Sequence, residues 1–359
     1  MPRPPEAKTR LLVFTTVFPS AARPVHGVFV RARTLGLPPE IEVRVVAPTP
    51  WFPFAHRLRP GWRPAAPRRE VQDGLEVEHP RFLSLPGVGK CLDGLFLFLS
   101  TAATLRRLHR TFAFDAIDAH FTYPDGFAAV LHGRLFGVPV LITERGTLAL
   151  LTAYRLRRPQ AAWALRRADR VIAVSPSLAR IAAGLGLAPE RVRVIANGVD
   201  AELFRPLDRA EARRALGLDP DGRYVLAVGT LAERKGIDLL IAAVADLAPR
   251  FPGLRLLLVG GAGAEGYVGD RLRRQAEALG VADRVVFAGP RPRAELPLWY
   301  SAADLLALPS ALEGSPNVAL EALACGTPVA ATATGDLPEL LADAARGVLI
   351  ERRDAAAVT

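Results

Sequence analysis

A chain of 359 residues exceeds the length at which one hydrophobic core usually stops growing, so two domains are expected. Half of the residues are apolar, and the formal charge of +10 indicates a polyanionic partner such as DNA, an anionic bilayer or a diphosphate substrate. The two cysteines, Cys91 and Cys325, have no ligand-like spacing, so neither a disulfide framework nor a zinc site is predicted. A reducing, cytoplasmic setting fits best.

The beginning of the chain, MPRPPEAKTR, lacks the apolar segment of a signal peptide. The longest apolar stretch, Cys91 to Leu105, is interrupted by Asp93 and is shorter than the roughly 20 apolar residues of a membrane span. We therefore expect a soluble protein, or one bound peripherally to the inner face of the plasma membrane.

The first 200 residues alternate short apolar runs with helix-length amphipathic segments. The predicted strands are Leu11–Val17, Glu42–Ala47, Asp115–His120, Val138–Thr143, Arg170–Val174 and Val192–Ile195. The predicted helices are Val28–Leu37, Leu95–Arg110, Asp125–Phe136 and Ser175–Ala183, the last with Ser175 or Ser177 as its N-cap. This alternation predicts βαβ units around a parallel sheet.

After a turn-rich segment, Asn197 to Pro206, the alternation begins again. Further strands are predicted at Tyr224–Gly229, Leu254–Gly260, Val285–Ala288, Leu305–Leu308 and Pro328–Ala331. The predicted fold class is α/β, with two doubly wound, Rossmann-like domains over 1–200 and 201–359. Ligands bind beyond the carboxyl ends of the strands in such sheets, so a central cleft between the domains is the expected site. A long loop is predicted over Pro48–Glu70.

Two glutamates eight residues apart mark the strongest candidate site, in LPSALEGSPNVALEALACGTPVAAT, residues 308–332. A strand is predicted before Glu313 and a helix after it, and the amides at the start of that helix suit an anion or a hydroxyl group. Glu321 lies two turns further along the helix. An ordinary βα loop with a solvent-facing glutamate is the alternative. The candidate residues are Glu313, Gly314, Ser315, Pro316, Asn317, Val318 and Glu321.

A cation is expected at the end of another strand, in LAVGTLAERKGID, residues 226–238. The strand ends at Gly229 and a helix follows, which places Lys235 at the junction. A cation positioned at such a junction stabilises negative charge on a bound phosphate. Arg234 is a second candidate, with a solvent-exposed charge as its alternative, and Thr230 directly follows the strand glycine.

Two candidates lie in the predicted first domain. DAIDAHFTYPDG places His120 at the end of a strand, where it would hydrogen-bond a ligand hydroxyl or position the reacting face of a ligand; a core histidine is the alternative. VFPSAARPVHGVFV places Gly27 between the first strand and the first helix, where a glycine lets backbone amides approach a phosphate. A turn glycine is the alternative there.

Together these segments resemble the retaining GT-B glycosyltransferases of family 4. The E-x7-E motif with EALACGTPV, the segment around Lys235 and a His-x-x-x-Pro-x-Gly string carry the resemblance. It covers nearly the whole chain and is tightest over 224–341. RPVHGVFV and PRFLSLPG are similar to bacterial transferases of cell-surface polysaccharide and teichuronic-acid-type assembly, so a role in cell-envelope polysaccharide synthesis is expected.

The resemblance implies a glycosyltransferase that takes a nucleotide-diphosphate sugar as donor and needs neither a cofactor nor a metal. Glu313 would contact hydroxyls of the donor sugar, and Glu321 would hydrogen-bond the nucleotide ribose, because a carboxylate accepts two strong hydrogen bonds from a diol. Lys235 would bind the diphosphate, and the amides near Asn317 would face sugar and diphosphate. His120, Lys235 and Glu313 are the expected catalytic residues. The first domain would bind a glycan or lipid-linked acceptor.

Retention is compatible with a double displacement or with attack on the leaving-group face. A double displacement needs a nucleophile close to the anomeric carbon, and none of the matched residues is an obvious one. Same-face attack is therefore the preferred hypothesis, with Lys235 and the helix amides stabilising the diphosphate.

The chain departs from the family pattern at three places. Thr230 stands where many members carry an arginine, which leaves Arg234 as the candidate replacement. In ITERGTLALL, Leu148 occupies the acidic place of an Arg-Gly-Thr-Asp loop, so an acceptor or donor contact is expected to be missing. Members usually continue past a final strand such as 347–350 into helices that cross back onto the first domain, so a truncated end is expected at Thr359.

Two motif-like strings carry less weight. The glycines at 261, 263 and 266 fit G-x-G-x-x-G, but no acidic residue ends the next strand, which disfavours a dehydrogenase. Asp219 and Asp221 form a D-x-D, but DPDG before a strand is typical of a turn, so no metal site is predicted.

The long loop interleaves aromatic and cationic side chains, which suits an anionic membrane surface or a lipid-diphosphate acceptor, nucleic acid, or a plain surface loop. These residues are Trp51, Phe52, Phe54, Arg57, Arg59, Trp62, Arg63, Arg68 and Arg69. Two other functions remain open: a basic nucleic-acid-binding protein, indicated by charge alone, and a GT-B sugar-nucleotide 2-epimerase, which shares the fold. With the donor motif present, no nucleic acid partner is expected.

Overall fold

The computed structural model describes residues 8–24, 26–53, 66–263 and 266–359. It divides into two compact units, one ending at Ile195 and the other beginning at Ala196; the boundary predicted from the sequence lies at 200/201. Each unit is an α/β body with a parallel central sheet and helices between its strands. The predicted pair of Rossmann-like domains is confirmed.

The first unit has an eight-stranded sheet and a separate two-stranded one. Its described strands are β1 (Thr9–Phe14), β2 (Ile41–Val46), β3 (Thr49–Trp51), β4 (Arg69–Gln72), β5 (Leu75–Glu78), β6 (Arg81–Leu83), β7 (Ala116–His120), β8 (Val140–Glu144), β9 (Arg170–Ala173) and β10 (Val192–Val194). The large sheet runs in the order β10-β9-β8-β7-β1-β2-β5-β4, with β4 antiparallel to β5 and the other neighbours parallel, and β3 pairs with β6.

Helices follow the strands of the first unit in βαβ fashion. Those described are α1 (Val28–Leu35), α2 (Asp93–Thr111), α3 (Phe127–Phe136), α4 (Thr147–Leu151), α5 (Arg158–Arg167) and α6 (Pro176–Gly184), and Ser175 caps α6 by accepting from the amide of Leu178. Successive residues of β1 belong to different apolar clusters: Leu12 and Phe14 pack on one face and Val13 on the other. The sheet therefore has a core on each face, as the continuous apolar run in β1 requires.

The second unit repeats this architecture with six parallel strands. They are β11 (Arg223–Val228), β12 (Leu254–Val259), β13 (Val285–Gly289), β14 (Leu305–Leu308), β15 (Val329–Thr332) and β16 (Gly347–Ile350), in the order β13-β12-β11-β14-β15-β16. Its described helices are α7 (Arg209–Ala215), α8 (Ile237–Leu247), α9 (Gly269–Ala278), α10 (Leu296–Ala302), α11 (Asn317–Ala324), α12 (Leu337–Leu340) and α13 (Ala355–Val358). Strand order reverses between β11 and β14, where ligands bind in sheets of this kind.

The sequence interpretation was wrong at both ends of the long predicted loop. Thr49–Trp51 forms β3, and Arg69 opens the β4–β5 hairpin. Local pattern did not predict these strands, because their pairing partners lie at 75–83, outside the loop itself. Of the aromatic and cationic residues of this loop, those at 54, 57, 59, 62 and 63 lie outside the described residues. Trp51 is exposed and Phe52 is buried.

One described helical segment, Gly87–Thr111, is long and apolar enough to cross a membrane by length and composition, which corrects the expectation that this stretch falls short. A short 3-10 turn, Gly87–Leu92, extends α2 at its beginning and accounts for the added length. Leu97, Leu105 and Leu108 on one side of α2 are buried in the core of the first unit. This side of the helix is therefore covered by protein.

Candidate active site

The two strongest sequence signals meet in an ion pair. Lys235 Nζ lies 2.6 Å from Glu313 Oε1, and an Arg234 guanidinium nitrogen lies 3.6 Å from the same oxygen. The side chains of Lys235 and Glu313 are only 13% and 9% exposed. The sequence assigned Lys235 to a diphosphate and Glu313 to sugar hydroxyls, and the structure places both groups at one point. A mostly buried carboxylate with two cations beside it leaves a surplus of positive charge for an anion.

Backbone contacts fix this cluster at the switch point of the second sheet. β11 ends at Val228, and a 3-10 turn over Glu233–Lys235 carries both cations. Gly236 follows with φ of 66°, and a Cβ there would overlap the carbonyl oxygen of Pro309, so a glycine is needed for the turn to pack against the end of β14. The amide of Ala311 donates to the Arg234 carbonyl at 2.7 Å. The cations are thus tied to the loop that carries Glu313.

Thr230 lines a small pocket at the same end of the sheet, together with Gly229, Lys235 and Ser310. Arg234 donates to the carbonyl of Leu312 at 2.9 Å besides approaching Glu313. The alternative of an isolated, solvent-exposed charge therefore does not describe Arg234.

The loop before α11 is held by a residue that the sequence interpretation left in a turn. Asn197 Nδ2 donates to Asn317 Oδ1 at 2.9 Å and to the carbonyl of Ser315 at 3.3 Å. Pro316 directly precedes the helix and is extended. The carbonyl of Gly314 accepts from the Asp336 amide. Val318 is the second residue of α11 and is partly buried.

Glu321 lies one to two turns along α11, and its Oε2 accepts a 2.8 Å hydrogen bond from the Tyr300 hydroxyl. Burial raises the pKa of Glu321, while this hydrogen bond and the charge of Arg293 oppose the shift. Tyr300 is fully buried in α10, so it fixes the rotamer of the glutamate. A carboxylate held in this way is preorganised to accept from a ligand with its other oxygen.

In the first unit, His120 ends β7 completely buried. Its Nδ1 accepts from Arg145 Nε at 3.2 Å, which assigns the proton to Nε2, and Nε2 lies 3.8 Å from Asp118. Arg33 and Thr143 hold Asp118 from the other side, at 2.6 and 2.9 Å. Burial lowers the pKa of His120 to about 3, with Asp118 opposing and the two arginines adding to the shift. The imidazole is neutral at physiological pH, so it can donate a hydrogen bond but not act as a cationic acid.

The turn after His120 is anchored by buried carboxyl groups. Glu144 accepts from the amide of Thr122, and Asp125 accepts from the amide and hydroxyl of Thr16 at 3.0 and 3.1 Å. Burial raises the pKa of Glu144 to about 7. Leu148, which takes the usual acidic place of the family loop, is fully buried in the apolar core. Its role in this chain is packing.

Gly27 precedes α1 with φ of 75°, and a Cβ there would overlap the carbonyl of Val17. The turn alone accounts for this glycine, so its expected phosphate contact stays a prediction. Asp219 accepts from the amide of Asp221 at 3.0 Å, which makes the D-x-D a turn. Within the described ranges, no group of three or more His, Cys, Asp and Glu side chains is arranged to hold a metal ion.

Sequence reasoning missed three supporting residues, namely Asn197, Tyr300 and Asp118. Asn197 begins the turn-rich segment and Asp118 lies two residues before His120, so both lie within segments that the sequence analysis singled out. Tyr300 carries no local signal, since only the packing of α10 against α11 brings it to Glu321.

Two family models match this chain. A family model described as "Glycosyl transferases group 1" matches residues 208–359, and one described as "Glycosyltransferase Family 4" matches 36–203. The chain is 36% identical to the D-inositol 3-phosphate glycosyltransferase of Segniliparus rotundus, over 70% of this chain and 58% of that protein. It is 35% identical to the protein of the same name from Acidothermus cellulolyticus, over 82% of this chain and 69% of that one. The chain thus spans less than two thirds of the first of these relatives.

Among solved structures, sucrose-phosphate synthase from Thermosynechococcus elongatus matches with a TM-score of 0.76 and 24% identity, over 98% of this chain and 88% of that one. This likeness concerns the fold. Two Rossmann-like α/β units with parallel sheets match the GT-B fold of glycosyltransferases. The chain belongs to glycosyltransferase family 4.

Proposed function

We propose that this protein transfers a sugar, with retention of configuration, from a nucleoside-diphosphate sugar to a hydroxyl group of an acceptor. The observation that carries the proposal is the Lys235–Glu313 pair at 2.6 Å, with Arg234 beside it. Two cations on one carboxylate leave net positive charge where a diphosphate would leave. Family membership supports the reaction class.

In the proposed reaction the acceptor oxygen bonds to the anomeric carbon on the face from which the diphosphate departs. The bond between that carbon and the phosphate oxygen breaks, and the acceptor proton passes to the departing phosphate. Lys235 and Arg234 stabilise the negative charge that develops on the departing phosphate. A preorganised charge of this kind lowers the activation free energy by about 3 kcal/mol. Glu321, held by Tyr300, would accept from the ribose hydroxyls. With these cations in place, we propose that transfer proceeds without a metal ion or cofactor.

Two observations support a choice of acceptor. The named relatives point to an inositol phosphate. The similarity of RPVHGVFV and PRFLSLPG to cell-surface polysaccharide transferases points to a glycan or lipid-linked acceptor. Both carry hydroxyl groups, and the basic charge of the chain suits the phosphate that inositol phosphates and lipid-diphosphate acceptors share. We propose a cytoplasmic location, where nucleotide sugars are available.

Thermal stabilisation by UDP, ADP, GDP and dTDP identifies the base, and the matching sugar nucleotides are then incubated with inositol 3-phosphate or with a lipid-linked glycan. The proposal expects one nucleotide to stabilise the protein and one acceptor to receive the sugar in the donor's anomeric configuration. Glu313→Gln serves as the matched inactive control. Release of an epimerised sugar without any acceptor would instead assign the 2-epimerase reaction, and DNA binding with no response to nucleotides would overturn the proposal.

A further inference from the structure

The outward face of α2 is apolar where a surface helix is normally polar. Val88, Leu92, Leu95 and Leu99 are between 41 and 78% exposed. Leu95 and Leu99 lie one turn apart in α2, opposite the buried Leu97, and Val88 and Leu92 lie in the 3-10 turn, Gly87–Leu92, that leads into the helix. We call these four residues the α2 strip.

A second exposed segment adjoins the beginning of the α2 strip. Gln160 Nε2 donates to the carbonyl of Cys91 at 2.9 Å and to the carbonyl of Leu156 at 3.0 Å, so it ties the two segments together. Tyr154 and Leu156 are both about half exposed. The segment that carries Tyr154 and Leu156 therefore lies beside the beginning of the α2 strip, and clustered exposed apolar residues of this kind mark an interaction site.

The charges around this surface are almost all positive. Residues 145–168 contain six arginines and no acidic residue. Arg155 and Arg158 flank Leu156 and are exposed. Along α2, the line of the strip continues into the exposed Arg106 and Arg110. The acid within Gly87–Thr111, Asp93, is buried and lies 3.1 Å from Lys90.

We propose that the α2 strip, with Tyr154 and Leu156, docks on the surface of an anionic lipid bilayer. An apolar strip bordered by cations matches the boundary between acyl chains and anionic headgroups, where leucines enter the apolar layer and arginines reach lipid phosphates. The buried face of α2 stays in the protein core, so the helix lies on the membrane and does not cross it. This surface is made of described residues, and none of them belongs to the aromatic loop at 51–69 of the sequence.

Sedimentation of the full chain with lipid vesicles tests the proposal. Phosphatidylcholine vesicles with phosphatidylglycerol should bind the protein at low salt, and those without it should bind weakly. Leu95→Ser combined with Leu99→Ser should weaken binding about tenfold or more, since the leucines lose their apolar transfer. Arg155→Gln combined with Arg158→Gln should weaken binding to the anionic vesicles and reduce its salt dependence.

The matched control combines Leu279→Ser with Val348→Ser, two residues of the second unit that are 45 and 59% exposed. It should bind vesicles as the parent chain does. Equal loss in the control and the strip variant would overturn the proposal, as would a parent chain that ignores anionic vesicles at low salt. Analytical ultracentrifugation of each variant adds a third outcome. A dimer lost only in the strip variant would assign this face to a second copy of the chain.

Nucleotide binding by the strip variant should remain that of the parent chain, because the strip lies in the first unit and the Lys235–Glu313 cluster in the second. Failure of the membrane proposal is therefore distinguishable from failure of the proposed glycosyl transfer. Altered unfolding of the strip variant would show that the leucines act within the protein, which contradicts a docking role.

Discussion

Removing either partner of the Lys235–Glu313 pair should destabilise the fold, but the two variants should change nucleotide affinity in opposite directions. Glu313→Gln leaves Lys235 and Arg234 facing one another, both having lain within 3.6 Å of the lost charge. Breaking a buried pair costs about 3 to 5 kcal/mol, and partial exposure of Arg234 reduces the expected loss here to about 2 to 3 kcal/mol. Lys235→Ala leaves Glu313 with Arg234 as a counter-charge, so the expected loss is smaller, about 1 to 2 kcal/mol.

A bound nucleoside diphosphate should reverse the order of these two losses in stability. Its negative charge compensates the cations left in Glu313→Gln, whereas in Lys235→Ala it meets Glu313 with only Arg234 to oppose the repulsion. The nucleotide should therefore stabilise Glu313→Gln more than the wild type, and Lys235→Ala less. Turnover should fall in Lys235→Ala by roughly two to three orders of magnitude, because the leaving phosphate loses its main cation.

Urea unfolding with and without the nucleotide measures the stability of each variant. Calorimetric titration measures its nucleotide affinity, and initial rates measure its turnover. Arg271→Ala is the control, since Arg271 pairs with the exposed Glu233 at the surface of the same unit. The reasoning fails if both site variants respond to the nucleotide as the wild type does, or if Lys235→Ala keeps wild-type kinetics.

Three other outcomes follow from the site geometry. Glu321→Gln should weaken nucleoside diphosphate binding, and Tyr300→Phe should weaken it less because the carboxylate remains; unchanged calorimetric affinity in Glu321→Gln contradicts the ribose role. Glu144 has a folded pKa raised to about 7 from 4.5, so its stabilisation is present below pH 4.5 and is lost as pH rises through 7. Relative to Glu144→Gln, the wild type should lose about 3 kcal/mol of unfolding free energy across that window, and parallel stability curves would refute this. Asn197→Ala should cost about 1 to 2 kcal/mol, from two lost hydrogen bonds, and urea unfolding checks it.

Local pattern predicted most of both sheets because their strands are continuous apolar runs. β11 to β15 lie within a residue or two of the predicted bounds, and alternate residues of β12 fill the two faces, as a doubly covered sheet requires. β3 to β6 were missed. They are three or four residues long, and such short strands depend on their partners more than on their own sequence.

The candidate site was predicted in part, because its charged residues follow strands that local pattern predicts. Lys235 and Glu313 each follow a strand, so the sequence placed both at the carboxyl edge of the second sheet. Their direct contact was not predicted, because it requires β11 and β14 to be neighbours, and strand order is a property of the assembled sheet. His120 was expected to face a ligand, and the structure buries it beside Asp118 and Arg145.

The sequence by itself determined the α/β class, the repeated strand–helix alternation and the places where charged side chains follow strands, since these depend on neighbouring residues. Tertiary structure alone decided which distant charges pair and which helix faces are covered. Periodicity places Leu95 and Leu99 on one side of α2 and Leu97 on the other, and leucines stand on both sides. Only packing against the core of the first unit buries one side and leaves the other exposed, because burial depends on the partner that a surface meets.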